Sequence, residues 1–586
     1  MKRPASWIPA AAVLCGLFLL FAAELTEGLP QGESFVPGEI LVRLKPGARI
    51  DPILSSSPVA LSVLEADGTA RMGIARLKIR SGTTVQAAIS ALTGQEGVLF
   101  AQPNYIYHTA LVPNDPSYAS QWGPGKIGAP AAWDLTVGSA DVLVAVLDTG
   151  IDTSHPDLAG NLWTNPGEIP GNGLDDDGNG FVDDVHGVNS AASPSLAQDI
   201  QDNVGHGTHV SGIIGAVGNN GVGVSGLNWH IGIITVKANE GSSFYTSDLV
   251  EGIDYVTALR TGKNLPVVAI NASLGGPVSE DAFLNEAIGD AGAAGILFVA
   301  AAGNNDADND LTPFYPAGLF RPNVLSVAAT DENDSLAVFN SNEASNYGRR
   351  TVHLGAPGKN ILSTYWGSLP GSDYSTLSGT SMAAPHVTGV LALMKAQDPD
   401  RDWIALKNRL LSTGTPLSGL ASKTITGRRL LAGGDGTFGA LTGSGQPVRS
   451  RLRSIANSLD LEQGASLDLA ALNISGEESL GDLSVSITQN GASYGTVTLR
   501  DNGTGFDQAA GDGIASATWS VPSLADCTYV FAFPDGNLTV TVDLAEEPPA
   551  PSGGGGGGGC SGAALPAFAL FLLVPLAAGC RKKSRL

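Results

Sequence analysis

The sequence predicts an α/β protein built on a mostly parallel β-sheet, with a small α+β unit before it and a β-sandwich after it. Three observations point there. Between Asp141 and Met394, apolar runs alternate with helical segments: "VLVAVLD" (142–148), "IGIITVKA" (231–238), "NLPVVAINAS" (264–273), "GILFVAAAG" (295–303) and "VLSVAAT" (324–330). Continuous Val/Ile/Ala strands with helices between them indicate a sheet covered on both faces. Ahead of them, "GEILVRLKP" (38–46), "ARLKIR" (75–80), "TTVQAAISALTG" (83–94) and "GVLFAQPNYIYH" (97–108) follow a β…β–α–β order of the ferredoxin-like kind. Behind them, "LSVSITQ", "GTVTLRD", "ASATWSV", "TYVFAFP" and "LTVTVDL" are short alternating strands between turns, an Ig-like pattern over residues 448–545.

The elements follow in order. Lys2 and Arg3 precede an apolar core at 9–23, and small residues at Ala22 and Ala23 suit a cleavage region. Residues 1–28 are therefore predicted to be a signal peptide. The α+β unit occupies 29–110 and the α/β unit 111–435. Residues 546–560, "EEPPAPSGGGGGGGC", form a Pro/Gly linker that cannot pack a core. Residues 561–579 carry no charge over 19 positions, close to the ~20 needed to span a bilayer. "RKKSRL" (581–586) would stay cytoplasmic, so 561–586 is predicted to be a transmembrane tail.

Composition narrows the partners. A formal net charge of −24 argues against nucleic acid, which needs clustered Lys and Arg. Of the four cysteines only Cys527 falls in the predicted folded body, so no disulfide framework is expected there.

Three segments carry reactive groups. Asp148 ends a wholly apolar strand, where an unused carboxylate is costly. "GHGTHVSG" (205–212) opens a helix with His206 and His209. Ser381 stands at the start of a small-residue helix in "LSGTSMAAPHVTGV" (377–390). Each alone has a structural explanation: a strand-end Asp, a core His, an N-cap Ser. Together they supply a nucleophile, a base and a carboxylate to orient the base. Zinc is a poor alternative for the histidines, since zincins use an i, i+4 pair with an intervening Glu.

"DTGID" (148–152), "GHGTHVSG" and "GTSMAAPH" (379–386), in this order, resemble the three active-site signatures of the subtilisin-like serine proteases (subtilases). The resemblance implies a three-layer subtilisin-like fold and a serine endopeptidase working through an acyl-enzyme on protein or peptide substrates. It makes Asp148 the orienting carboxylate, His206 the general base and Ser381 the nucleophile. Asn304 of "LFVAAAGNN" (297–305) takes the oxyanion-hole position. Ser273, Leu274 and Gly275 of "NASLGG" take the substrate-binding strand, and Phe314 of "PFYPAG" the wall of the specificity pocket. Residues 29–110 become an inhibitory, folding-assisting propeptide removed between about 105 and 116. The glycine run, Cys560, apolar stretch and basic end resemble C-terminal sorting signals of the GlyGly-CTERM type. That implies a bacterial cell-surface or released protein and a possible sorting protease as a partner. The competing reading is a catalytically weak surface binding or adhesion protein on the same fold.

"GNGLDDDGNGFVDD" (171–184) follows the start of a Ca²⁺ loop. Asp175, Asp177, Asn179, the Phe181 carbonyl and Asp183 are the expected ligands of a structural Ca²⁺. His186 stands where an EF-hand has its Glu. A second acidic turn carries Asp501, Asp507 and Asp512, which turn chemistry explains equally well.

Overall fold

The computed structural model describes residues 35–543, apart from 66–72, 81–82, 106–110, 242, 368–372, 435–438, 442, 453–457, 463, 506 and 523–526. The expected signal peptide, the Pro/Gly linker and the apolar tail lie outside the described residues. Among the described residues, no helix is long and apolar enough to cross a membrane.

The N-terminal unit runs β1 (Phe35–Leu44), α1 (Ile50–Ser56), β2 (Leu61–Glu65), β3 (Ile74–Ile79), α2 (Val85–Leu92) and β4 (Val98–Tyr105). Its antiparallel sheet has the order β2-β3-β1-β4. That β-α-β-β-α-β sequence is the anticipated ferredoxin-like one. Thr84 caps α2 by accepting from Ala87 N at 3.2 Å. Sequence reading missed α1 and β2: no side chain caps α1, and among its residues only Ile53 is buried.

The central unit holds a nine-stranded sheet. Its strands are β5 (Gly138–Asp148), β6 (Gly187–Asn189), β7 (His230–Lys237), β8 (Val267–Ala272), β9 (Leu297–Ala301), β10 (Val324–Thr330) and β11 (Leu354–Pro357), and then β14 (Thr415–Pro416) and β15 (Arg428–Arg429). A separate hairpin, β12 (Ile361–Thr364) with β13 (Tyr374–Leu377), stands between them. The sheet order is β14-β15-β11-β10-β9-β8-β5-β7-β6, parallel throughout except for the edge strand β14. Successive side chains on β5 point to opposite faces, and both faces are covered. Val144 and Val146 enter one apolar core, Leu143, Ala145 and Leu147 the other. Helices α3 (His206–Gly215) and α6 (Thr380–Gln397) supply residues to the first core. Helices α4 (Thr246–Gly262) and α5 (Ala282–Ala293) supply the second. The strand order reverses around β5, where β7 lies on one side and β8 on the other. Open α/β sheets place their sites at such a switch, beyond the carboxyl ends of the strands.

After α7 (Trp403–Ser412) comes a C-terminal pair of sheets. The strands are β16 (Val448–Leu452), β17 (Ser458–Glu462), β18 (Ser466–Ser475), β19 (Glu478–Ser479), β20 (Leu483–Gln489), β21 (Ala492–Leu499), β22 (Ile514–Ser520), β23 (Cys527–Phe533) and β24 (Gly536–Asp543). One sheet joins β16, β18, β19 and β22, and the other has the order β17-β24-β23-β20-β21. Every pairing is antiparallel except β17 with β24. The alternating strands of the sequence are β20 to β24. The missed ones include β18, whose run "SLDLAALNIS" does not alternate because both its faces are covered. Leu467, Leu469 and Ala471 face the C-terminal core, while Ala470, Leu472 and Ile474 join the core of the central unit.

Candidate active site

Register brings the three reactive strands to one edge. Leu147 of β5 pairs with Ala272 of β8, which pairs with Ala300 of β9. Asp148, Ser273 and the turn to Asn304 therefore leave the sheet side by side.

Asp148 is fully buried. Its Oδ1 accepts from His206 Nδ1 at 2.7 Å and from Thr149 N at 2.8 Å. His206 is the first residue of α3, after Gly205 with φ +94°. Gly207 allows the close approach of that helix to β5. A Cβ there would lie 2.2 Å from the Gly150 carbonyl oxygen and 3.2 Å from Asp148 Cβ. Burial disfavours a charged imidazole at His206. The charge and hydrogen bond of Asp148, aided by the charge of Asp202, outweigh it and raise the pKa above its ordinary value. The bond at Nδ1 leaves Nε2 to handle a proton.

His209 has a different role. It is fully buried, and its Nε2 donates to the Ile361 and Ser375 carbonyls at 3.0 and 3.1 Å. Burial, with a smaller push from His206, takes its pKa down to about 3. It is a neutral pin between α3 and the β12–β13 hairpin.

Ser381 is the second residue of α6, where helix N–H groups lack intrahelical partners. Its Oγ donates to the Ser273 carbonyl at 3.1 Å, and Ser273 Oγ donates to the Ser381 carbonyl at 2.7 Å. Among the described residues no hydrogen bond joins Ser381 to His206. Such bonds are often long or absent without substrate. Asn304 Oδ1 accepts from Thr380 N and Thr380 Oγ1, both at 2.9 Å. That fixes the amide by its oxygen and leaves the NH₂ as a donor beside the start of α6.

The segment Ser273-Leu274-Gly275 continues β8. Gly276 and Tyr315 exchange two backbone hydrogen bonds of 2.9 Å, which tether its far end. Phe314 is buried between two glycines. A Cβ on Gly275 would meet its ring at 2.4 Å, and one on Gly303 at 2.9 Å. The ring thus closes the space between the segment after β8 and the turn that presents Asn304.

In the acidic loop, the structure gathers Asp175 and Asp177 with a residue the sequence reading missed, Glu168. One carboxylate oxygen from each lies within 4.8 Å of the others. Glu168 Oε1 accepts from Asp176 N and Asp177 N, while its buried Oε2 has no hydrogen-bond partner. Asp175 and Asp177 also accept backbone N–H groups of the loop, and Asp183 and Asn179 are engaged in the same way. Asp183 accepts the backbone N–H groups of Gly171, Asn172 and Gly173. Asn179 Oδ1 accepts from Phe181 N, and its amide donates to Asp184. Phe181 stacks edge-on to Tyr255 of α4. Glu168 lies seven residues ahead of Asp175, outside any loop signature; only the fold brings it in. Asp501, Asp507 and Asp512 also converge, but backbone N–H groups, Ser479 and Lys407 occupy their carboxylates.

Comparison with known proteins gives the family. Residues 139–430 match the subtilase family, and residues 23–104 match the fervidolysin N-terminal prodomain. A thermophilic serine proteinase of Bacillus sp. (strain AK1) is 34% identical over 401 residues, covering 67% of this chain and 86% of that protein. Thermitase of Thermoactinomyces vulgaris is 38% identical over 319 residues, covering 54% of this chain and 96% of that protein. Subtilisin Savinase of Lederbergia lenta is 38% identical over 297 residues, covering 50% and 91%. The chain belongs to the subtilase family, with a fervidolysin-like prodomain at its N-terminus.

Proposed function

We propose that this chain is an exported serine endopeptidase, made as a zymogen, in which Asp148, His206 and Ser381 form the catalytic triad. The observation that carries the reading is the 2.7 Å bond from His206 Nδ1 to buried Asp148, at the sheet edge where Ser273 bonds Ser381 of α6. An extended substrate pairs with Ser273-Leu274-Gly275 by main-chain hydrogen bonds, which read backbone more than side chain. Ser381 Oγ leaves Ser273, gives its proton to His206 Nε2 and attacks the scissile carbonyl carbon. The Asn304 amide and the Ser381 N–H hold the resulting oxyanion. His206 passes the proton to the leaving amine, and water then hydrolyses the acyl-enzyme by the same route. Phe314 leaves little depth between Gly275 and Gly303, which favours small side chains at the residue before the scissile bond.

The prodomain is cut from the enzyme between about 105 and 116. From Leu111 onward the chain is already tied to the central unit. Leu111 N donates to Asp134, and buried Asp115 accepts from Asn219 N at 2.6 Å. The acidic loop suits a structural Ca²⁺ held by Glu168, Asp175 and Asp177, whose clustered carboxylates and partnerless Glu168 oxygen call for a hard cation. Its role there is to neutralise the loop; no proton or electron of the reaction passes through it. Chelation should lower the melting temperature, and an unchanged melt would remove the ion from the account.

Self-processing tests the function. Ser381→Ala should leave the precursor uncut at the prodomain junction. Normal maturation of that variant would overturn the assignment.

A further inference from the structure

Asp202 lies in "QDNVGHGTH", four residues before His206, and among the described residues it makes no hydrogen bond to the three triad side chains. It is fully buried, yet no Lys or Arg pairs with it among the described residues. Its carboxylate takes five donors. Oδ1 accepts from Thr149 Oγ1 at 3.0 Å and from Val204 N and Gly205 N at 2.9 Å. Oδ2 accepts from Thr208 N at 2.9 Å and Thr208 Oγ1 at 2.7 Å. These donors come from two places: the residue after Asp148 and the turn that carries His206. Thr149 Oγ1 closes the circuit by accepting from Gly207 N at 2.8 Å. The backbone joins too, since Asp202 N donates to the Ile151 carbonyl at 3.1 Å.

Gly205 has no side chain to cap α3, so Thr149 and Asp202 take up its first N–H groups from outside the helix. An aspartate is a costly choice for that task alone. A buried carboxylate met by neutral donors is costly, and the charge of Asp202 acts on His206. The other titratable groups around His206 are accounted for. Asp148 bonds its Nδ1. His209 is held neutral. Lys237, opposite Asp148 in the sheet, turns its Nζ to the Gln201 carbonyl at 2.6 Å. Tyr365, beside Gly205, bonds the Val204 carbonyl, and His386 of α6 faces the Met382 carbonyl.

We propose that Asp202 is a positioning residue of the peptidase: its buried carboxylate locks the His206 turn of α3 to the Asp148 end of β5 and holds a second negative charge behind the imidazolium formed during the reaction. The inference rests on the triad reading above. Asp148 alone can fix the tautomer of His206. Asp202 fixes where the helix start lies, so that Nε2 meets Ser381 once substrate moves the serine off Ser273. Catalysis is sensitive to displacements of this kind.

The test is the pH dependence of peptide hydrolysis by the mature enzyme and by Asp202→Asn, which keeps the shape and removes the charge. The acid limb of kcat/KM reports the free-enzyme base. In Asp202→Asn it should move to lower pH by about half a unit or more, with kcat reduced and KM unchanged. Should that variant not fold, Thr149→Val cuts the same circuit, and Thr149→Ser restores its hydroxyl. Thr149→Val should lower kcat about tenfold or more at constant KM, and Thr149→Ser should recover it. A folded Asp202→Asn with a parental pH profile, or a Thr149→Val with parental kcat, overturns the proposal. A parent enzyme that hydrolyses nothing would instead sink the triad reading itself.

Discussion

The central sheet and the C-terminal pair of sheets bury carboxylates for opposite purposes. In the central unit Asp148 and Asp202 lie at a strand end and before a helix start, with no Lys or Arg partner among the described residues, beside the histidine proposed as the base. In the C-terminal unit the acids meet permanent cations of the central unit. Asp512 binds Lys407 at 3.1 Å, Asp535 binds Arg350 at 2.7 Å, and Glu477 binds Arg401 and Arg409, both at 2.9 Å. In these four ion pairs the cations belong to the central unit and the acids to the C-terminal sheets. In a chain of net charge −24 that sorting is a docking device. The apolar face of β18 lies across it, with Leu472 and Ile474 joining the core that contains Leu406 and Leu410 of α7. One class of buried acid prepares chemistry; the other fastens a layer of structure to the enzyme.

The contrast breaks first at the seam. Ending the chain after Gln446 should leave a central unit that no longer folds cooperatively. Several buried Leu and Ile side chains would be exposed at about 1.5–3 kcal/mol each, together with Lys407 and its lost partner. A truncated enzyme with the parental melting temperature would show that the sheets are a passive appendage. Next, Lys407→Met should cost about 3–5 kcal/mol by stranding Asp512, and Lys407→Met with Asp512→Leu should regain most of it. No regain in a chemical-denaturation series would mean that the pair is not the source of the loss. On the reactive side, Asn304→Ala should lower kcat by ~10²–10³, a magnitude established for subtilisin, a member of this family, with the melting curve unchanged. A smaller rate loss, or a lost melt, would place Asn304 among the structural residues.

The smallest effect separates the two histidines by pH. His209 has a depressed folded pKa, so the unfolded chain takes up its proton first. Stability falls as pH drops from about 6.5 toward about 3, by up to a few kcal/mol. His206 has a raised pKa, and the sign reverses: its pairing with Asp148 stabilises at low pH, and that contribution is lost as pH rises through the folded value. Activity follows the opposite course, because the base works only when neutral. His209→Gln should flatten the acid limb of stability and leave the acid limb of activity in place. Movement of both limbs together would mean that the roles are not separate.

What could be read from the sequence divides along the same line. The roles of Asp148, His206 and Ser381 came from the resemblance of "DTGID", "GHGTHVSG" and "GTSMAAPH" to the subtilase signatures, since each residue alone, at the end or start of an element, had a structural explanation. The parallel sheet was legible because its strands are apolar without interruption. Strand β18 was not: a strand clamped between two cores loses the alternation that marks a half-buried one. Glu168 could not be assigned because its partners lie seven and nine residues away in a glycine-rich loop. Asp202 was not singled out, since nothing in "QDNVG" shows that both its oxygens are spent on the Asp148 and His206 segments.

The central claim, that Asp148 and His206 activate Ser381, is tested most directly by labelling the mature protein with a fluorophosphonate across pH. The account predicts one label per chain, on Ser381 and absent from Ser381→Ala, at a rate that rises as His206 loses its proton above its raised pKa. No labelling, a label on another residue, or a rate indifferent to pH would contradict it.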